Sequence, residues 1–471
     1  MNKFLHHFIL NRCNEFDSKI WLVTSSRAYT FKEIQNRAIN ASEALRSRGV
    51  HKGDYLALQF DDKIEFIVMI FAVLLAEAIP VPFHSSFPTK LCRDLSERNG
   101  ISYLLSSSSI DFICSNDEKE QADHSVNDVA ICFPTSGTSS FPKIVQLSHA
   151  NILENMKAIA VYFPLGSDDL ILLAKSLAHA STFTGEVLLS LFCGSRLFIP
   201  EEGYSPRKLA DVIDRNEITT LIGVTTMYRQ MHYLLNRKFH SVRYVKILGE
   251  PVTEPDVRKV KELFPEAQLF VAYGLTEAGP RVSALLPNEQ KPGSVGRPVD
   301  KTRIEVFDAN NQSCSTGVPG VVVVSGVGVM KGYLNNPEGT ARRLKEGRLW
   351  TDDVGYLDED GYLYILGRRD DVFFRGGENI YPVKIEAVIK QLEGVRQVLV
   401  VNEKDLIRGE KIRVLVELND KEMQTSHIYQ FCIKHLCSYE IPDFIEIVEH
   451  IPQNAAGKLI RKRGECTNDN P

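Results

Sequence analysis

Between Leu170 and Tyr273 short, largely apolar runs alternate with longer stretches that carry apolar residues at helical spacing. Leu170–Ala174, Arg196–Ile199, Thr219–Val224, Tyr244–Leu248 and Leu269–Tyr273 have the length and composition of strands, and Thr184–Phe192, Pro206–Arg215, Met227–Leu235 and Glu254–Leu263 that of helices. A strand that is apolar on both faces needs cover on both, and interleaved helices supply it. The expected core is therefore a doubly wound α/β sheet. Ligands of such sheets sit in loops beyond the strand carboxyl ends, where Tyr273-Gly274-Leu275-Thr276-Glu277 lies.

Upstream, Thr30-Phe31-Lys32-Glu33 is a capping-box pattern that predicts a helix from Phe31 to near Gly49. Tyr55–Phe60 reads as a strand, the apolar run Phe66–Ala76 as a buried helix too short to span a bilayer, and Ile79–Phe83 as an extended segment. The polar stretch Ser106–Asp128 reads as a surface connection, and Ser148 as the cap of a helix that begins at His149. Past residue 290 the rhythm breaks. Glycines and Val/Tyr-rich runs over Gly293–Gly367 predict a smaller β-rich unit. A compact α+β unit follows, with helices Val383–Leu392 and Ser426–Leu436 and strands Val395–Val401, Ile412–Leu418 and Phe444–Val448.

Composition excludes several classes. A net charge of −5 without a Lys/Arg run argues against a nucleic-acid binder. The nine cysteines form neither CxxC nor CxxxC, so a zinc site or a disulfide framework is not expected, and reduced thiols in the cytoplasm are. Histidines and an arginine interrupt the apolar N-terminal stretch, a poor secretory signal, and no membrane span is expected. No GxxxxGK[ST] occurs, and Gly326-Val327-Gly328 misses GxGxxG because Lys331 takes the last glycine's place. Neither a P-loop NTPase nor a dinucleotide-binding dehydrogenase is indicated.

The stretch Phe133–Leu147, FPTSGTSSFPKIVQL, points to a different phosphate chemistry. Thr135, Ser136, Thr138 and Ser139 surround Gly137, and Pro142-Lys143 follow. A phosphate tail needs close backbone N–H groups, hydroxyl donors and a cation, and this stretch holds all three.

TSGTSSFPK resembles the phosphate loop of the adenylate-forming superfamily, which includes acyl- and aryl-CoA synthetases, peptide-synthetase adenylation domains and luciferases. YGLTE at Tyr273–Glu277, WTDDVGYLDEDGYLYILGRRDD at Trp350–Asp371, GGENIYPVKIE at Gly376–Glu386 and NAAGKLIRK at Asn454–Lys462 are similar to its further motifs, in the same order. The resemblance implies an α/β fold with a large N-terminal domain, residues 1–369, of doubly wound α/β subdomains plus a β-rich subdomain. A small mobile α+β C-terminal domain, residues 370–471, turns about a hinge at Asp370.

By the same resemblance Thr135, Ser136, Gly137, Thr138, Ser139 and Lys143 hold the ATP β- and γ-phosphates, and Glu277, beside Thr276, takes Mg²⁺. Gly249-Glu250-Pro251 and Ala272-Tyr273-Gly274 border adenine, Tyr273 stacking on it. Asp353 accepts from the ribose hydroxyls, and Arg368 contacts ribose or phosphate. Lys458 bridges the substrate carboxylate and the α-phosphate. Rotation about Asp370 then brings Gly376 and Gly377 to a pantetheine thiol.

Amino-acid-activating relatives carry an aspartate where this chain has His179, which disfavours an α-amino acid and resembles the histidine of acyl- and aryl-CoA synthetases. Thr184, Gly185, Gly223, Val224 and Ala272 are expected to line a mainly apolar pocket for an aryl or medium-chain acyl carboxylate. The implied activity is ATP-dependent adenylation of that small acid and transfer to coenzyme A or to the phosphopantetheine of an acyl or peptidyl carrier protein. A carrier-loading ligase, a weakly active adenylate-binding homologue and a luciferase-like oxygenase are the alternatives. Ser140, Ile144, Asp352 and Thr225 depart from the family pattern, the first three replacing glycines and the last a proline.

Overall fold

The computed structural model describes residues 3–107, 110–112, 128–135, 142–201, 205–375, 378–405, 409–419 and 423–451. At its centre, strands Gln268–Tyr273, Tyr244–Leu248, Thr220–Gly223, Leu170–Leu172, Arg196–Phe198 and Ile20–Val23 lie side by side and parallel. Antiparallel edges extend this sheet, Ser283–Leu285 and Arg297–Pro298 on one side and Ala28–Thr30 on the other. Leu170–Leu172 and Thr220–Gly223 are buried along their whole length, as their apolar composition predicts. A second sheet pairs Ile79–Pro82, Tyr55–Gln59 and Tyr103–Ser106 in parallel.

The expected helices form for the expected local reasons. Helix Phe31–Ser47 carries a complete capping box: Glu33 N–H donates to Thr30 Oγ1 at 3.1 Å, and Thr30 N–H donates to Glu33 Oε2 at 2.7 Å. Helix Lys63–Leu75 starts on Asp62, whose carboxylate accepts from the Ile64 and Glu65 N–H groups, and its apolar faces fill the space between the two sheets. Trp21 stacks between Phe31 and Phe71, with ring centroids at 5.2 and 5.8 Å, and its indole N–H donates to Ser190 Oγ.

Two segments differ from expectation. The helix expected over Thr184–Phe192 begins at Ala180, and Phe183–Leu188 is π-helical. Its looser turn accommodates a neighbour: a Cβ at Gly185 would lie 2.9 Å from Arg281 Nη2. Within the stretch read as a plain connection, Ile110–Phe112 is a strand that pairs antiparallel with Tyr103–Ser106.

Strands Val129–Pro134 and Ile144–Ser148 form a hairpin, continued by Gly332–Tyr333. The β-rich unit is an antiparallel sheet of Thr302–Phe307, Gly320–Gly326, Arg348–Leu357, Leu344–Lys345 and Leu363–Arg368. In the C-terminal unit Val395–Asp405 pairs antiparallel with Gly409–Leu418, which pairs parallel with Phe444–Ile447; helices Pro382–Ile389 and Thr425–His435 share its apolar core. Among the described residues no helix is long and apolar enough to cross a membrane.

Helix Leu5–Phe16 docks through its backbone, the Leu5 N–H donating to His149 Nδ1 at 3.0 Å. This bond requires an unprotonated Nδ1. Burial first, and then neighbouring His6, lower the His149 imidazole to about 4. The unfolded chain protonates at an ordinary histidine value while the folded chain does not, so stability is full above neutral pH and falls as pH drops from the ordinary value toward about 4. Between pH 7.5 and 5 the wild type should lose about 2 kcal/mol more than a His149→Gln variant, as read from urea unfolding.

Candidate active site

The hydroxyl-rich stretch begins at the end of strand Val129–Pro134, and the chain resumes before strand Ile144–Ser148. Thr135 and Lys143 close its base: Thr135 N–H donates to the Lys143 carbonyl at 2.8 Å, and Lys143 N–H donates to Thr135 Oγ1 at 3.2 Å. Ser136, Gly137, Thr138 and Ser139 lie outside the described residues. The Lys143 ammonium sits 4.9 Å from the ring centroid of Tyr333.

Facing the hairpin is the loop after strand Gln268–Tyr273. Gly274 is forced by close approach, since a Cβ there would overlap the Pro280 carbonyl as the chain folds back. Thr276 and Glu277 then form one turn of 3₁₀ helix. The Glu277 carboxylate accepts from the Tyr333 hydroxyl at 2.9 Å, and the Glu277 carbonyl accepts from Met330 N–H. Lys143, Tyr333 and Glu277 thus form a chain from cation to ring to carboxylate.

Tyr273 points the other way. Its hydroxyl donates to Asp353 Oδ2 at 2.6 Å, and burial, then Asp353 itself, push the phenol well above its ordinary value. Asp353 lies on strand Arg348–Leu357 opposite Arg368 of strand Leu363–Arg368, whose Nε is 3.5 Å from Asp353 Oδ1. Arg368 also donates to Asp352 at 3.0 Å, and Arg343 binds the same Asp352 oxygen. Asp370 follows in the turn Arg369–Asp371, which joins strand Leu363–Arg368 to the C-terminal unit.

Two further loops border this region. Gly223 ends its strand, Val224 precedes helix Thr225–Leu234, and Gly249-Glu250-Pro251 follows strand Tyr244–Leu248. The Glu250 carboxylate accepts from the Thr226 N–H and hydroxyl, and Thr225 Oγ1 donates to the Pro251 carbonyl at 3.1 Å. Ala272 is buried in the next strand, in register with Leu248.

His179 caps the segment that begins at Ala180, with its ring 6.2 Å from that of His84. Burial, then Lys175 and His84, lower it to about 4, so the imidazole is neutral at neutral pH. Thr184 is fully buried two residues before Glu186, which pairs with Lys175 at 2.8 Å. Near Thr184 and Gly185, Lys175, Glu186, Lys246 and Arg281 gather from four separated segments, a convergence that no local pattern reports.

Gly376, Gly377 and Lys458 lie outside the described residues. The sequence reading passed over Tyr333, Arg343, His84, Lys246 and Arg281. One signal was available: Lys246 is a charge inside the otherwise apolar strand YVKIL, where a solvated side chain has no outlet.

The sequence matches the AMP-binding enzyme family over residues 10–334 and the AMP-binding enzyme C-terminal domain over residues 384–458. It is 28% identical to the probable CoA ligase CCL9 of Humulus lupulus, covering 95% of this chain and 93% of that protein. It is 31% identical to the 2-succinylbenzoate–CoA ligase of Bacillus pumilus, over 74% and 71% of the two chains. The fold superimposes on o-succinylbenzoate CoA synthetase of Bacillus subtilis, solved in complex with its acyl-adenylate intermediate, with a TM-score of 0.83, 26% identity and coverage of 97% and 99%. That synthetase has also been solved with ATP and magnesium ion. With the fold, the order of its motifs and the family match in agreement, the protein belongs to the adenylate-forming superfamily of AMP-binding enzymes.

Proposed function

We propose that the protein is an AMP-forming acid–thiol ligase that adenylates a non-amino aryl or medium-chain acyl carboxylic acid and transfers the acyl group to coenzyme A. The observation that carries this reading is a pair of carboxylates at the loop Tyr273–Glu277: Glu277 at its end, and Asp353, on strand Arg348–Leu357, bound by Tyr273 at its start. Asp353, held by Tyr273 at the strand end, is a buried acceptor of the kind a vicinal diol needs. Glu277, held by Tyr333 beside Lys143, is a hard oxygen ligand next to a cation. A nucleoside triphosphate presents diol and phosphates with that separation of chemistry.

Asp353 accepts from the ribose hydroxyls and Arg368 adds a charge-assisted donor. Thr135 and Lys143 meet the phosphates, joined by Ser136, Gly137, Thr138 and Ser139 of the turn. Glu277 would hold Mg²⁺, which would supply neutralisation of phosphate charge. A carboxylate oxygen attacks the α-phosphorus and pyrophosphate leaves; Lys458 stabilises the charge that develops. Neutral His179 orients the acid by hydrogen bonding without adding a competing charge. Turning about Asp370 exchanges Lys458 for Gly376-Gly377, the thiol attacks the acyl carbonyl, and AMP leaves. The described cysteines are all free, which supports a reducing, cytoplasmic setting.

Acid-dependent ATP–pyrophosphate exchange across aryl, acyl and amino acids tests the reading. Exchange is expected with a non-amino acid and should fall about 100-fold or more in Lys458→Ala; exchange with amino acids alone overturns it. Thioester is expected with free coenzyme A. Asp353→Asn should raise the KM for ATP about 10-fold with a smaller change in kcat. Tyr333→Phe frees the Glu277 carboxylate from its donor and should raise the magnesium concentration for half-maximal rate about 3- to 10-fold, a shift that a purely structural role for Tyr333 does not produce.

A further inference from the structure

Strands Phe373–Arg375 and Glu378–Ile380 pair antiparallel as a sheet of two, three residues to a strand. A ribbon so small does not hold its own position in water and takes it from its neighbours. At one end Phe373 pairs with Ile380, and both are buried in the core of the C-terminal unit. At the other end Arg375 pairs with Glu378, and only Gly376 and Gly377 lie between them in sequence. Glu378 and Asn379 are exposed, so apolar packing does not fix that end.

Arg375 supplies what packing does not. Its side chain is only 10% exposed. The guanidinium donates from Nη1 to the Tyr439 carbonyl at 3.0 Å and the Ile441 carbonyl at 2.7 Å, and from Nη2 to Asp443 Oδ1 at 2.6 Å. The acceptors are themselves held. Asp443 Oδ2 accepts from Ile412 N–H at 2.8 Å, and Asp443 N–H donates back to the Ile412 carbonyl. Glu440 is buried in the turn Ser438–Glu440, where it accepts from Cys437 N–H and from Lys384 Nζ at 2.6 Å. Lys384 belongs to helix Pro382–Ile389, which follows the ribbon in the chain. One planar fork thus joins the residue before the glycines to a frame built on that helix and on strand Gly409–Leu418. Asp443 offsets the guanidinium charge, so Arg375 acts through position rather than through its field.

We propose that Arg375 is a positioning residue for thioester formation: it fixes the chain at the entry to Gly376-Gly377, so that the thiol of coenzyme A is held against the acyl carbonyl once the C-terminal unit has turned. The inference rests on the adenylation and thiol-transfer reading above and adds a residue to its second step. In that step the sulfur–carbon bond forms as the bond from the carbonyl carbon to the phosphate oxygen breaks. AMP leaves with the electron pair, and the thiol proton passes to solvent. On that reading the first step does not use the glycines, whereas the second depends on where two residues without side chains lie. A displacement of about 1 Å is enough to slow a positioned reaction ~100-fold.

The test separates the two half-reactions, with the aryl or acyl acid that gives the fastest wild-type exchange. Arg375→Met should leave acid-dependent ATP–pyrophosphate exchange within ~3-fold of wild type, while the single-turnover rate of acyl transfer from preformed adenylate to saturating coenzyme A falls at least ~30-fold. Arg375→Lys keeps a cation against Asp443 but not the fork that reaches both carbonyls, and its transfer rate should fall between the two. Exchange also reports folding, because the reading above draws Lys458 from the same unit. Parallel loss of both half-reactions in both variants, with a lower melting temperature, assigns Arg375 a purely structural role and overturns the inference. Unchanged transfer in Arg375→Met overturns it as well, and leaves adenylation standing. Absence of wild-type exchange with every aryl and acyl acid overturns the adenylation reading and this inference with it.

Discussion

The Asp353 carboxylate is the joint on which the arrangement depends. It is buried, and a buried carboxylate is tolerable only with its acceptor positions engaged. Tyr273, at the end of a central parallel strand, donates to one oxygen, and Arg368, on the neighbouring strand of the β-rich unit, stands beside the other. Thr351 fixes the backbone locally, its hydroxyl donating to the Val322 carbonyl and accepting from Asp353 N–H. The hydrogen bond that seats the β-rich unit on the parallel sheet thus also shapes the proposed ribose acceptor. Cohesion and recognition use the same atoms.

The departures from the family pattern lose much of their apparent severity in three dimensions. Asp352, in place of a glycine, is gripped by Arg343 and Arg368 and so anchors the very arginine the site uses. Thr225, in place of a proline, donates to the Pro251 carbonyl and ties together two loops that border the site. Ile144 points into the core, paired with Pro134 at the base of the hairpin, away from solvent. Each of these three substitutions comes with a partner or a packing site; Ser140 lies outside the described residues. Their presence is therefore compatible with an active enzyme.

Charge is distributed unevenly around the reacting region. Around Asp353 and Glu277 the carboxylates stand beside Lys143, Arg343 and Arg368, all of them at least partly open to solvent. Near the segment that carries His179 and Thr184, the interior buries Lys175, Lys246 and Arg281 together with Glu186, and burial keeps His179 neutral.

The sequence alone was sufficient for the architecture of alternating strands and helices, because burial on both faces imposes a composition that can be read locally. Thr30 with Glu33, and Ser148 at the start of its helix, were legible for the same reason: capping is a contact between near neighbours in the chain. So were Tyr273, Glu277, Asp353 and Arg368 as candidates, since each sits in a recognisable run. What those residues touch was not legible. Tyr333 under Lys143 and against Glu277, and Arg281 over Gly185, join residues far apart in sequence, and no window along the chain contains both members of any of these pairs. The cluster of buried Lys175, Glu186, Lys246 and Arg281 was invisible for a further reason. Net charge is a sum over the chain, whereas the electrostatics of a pocket depends on which few charges the tertiary fold removes from water together.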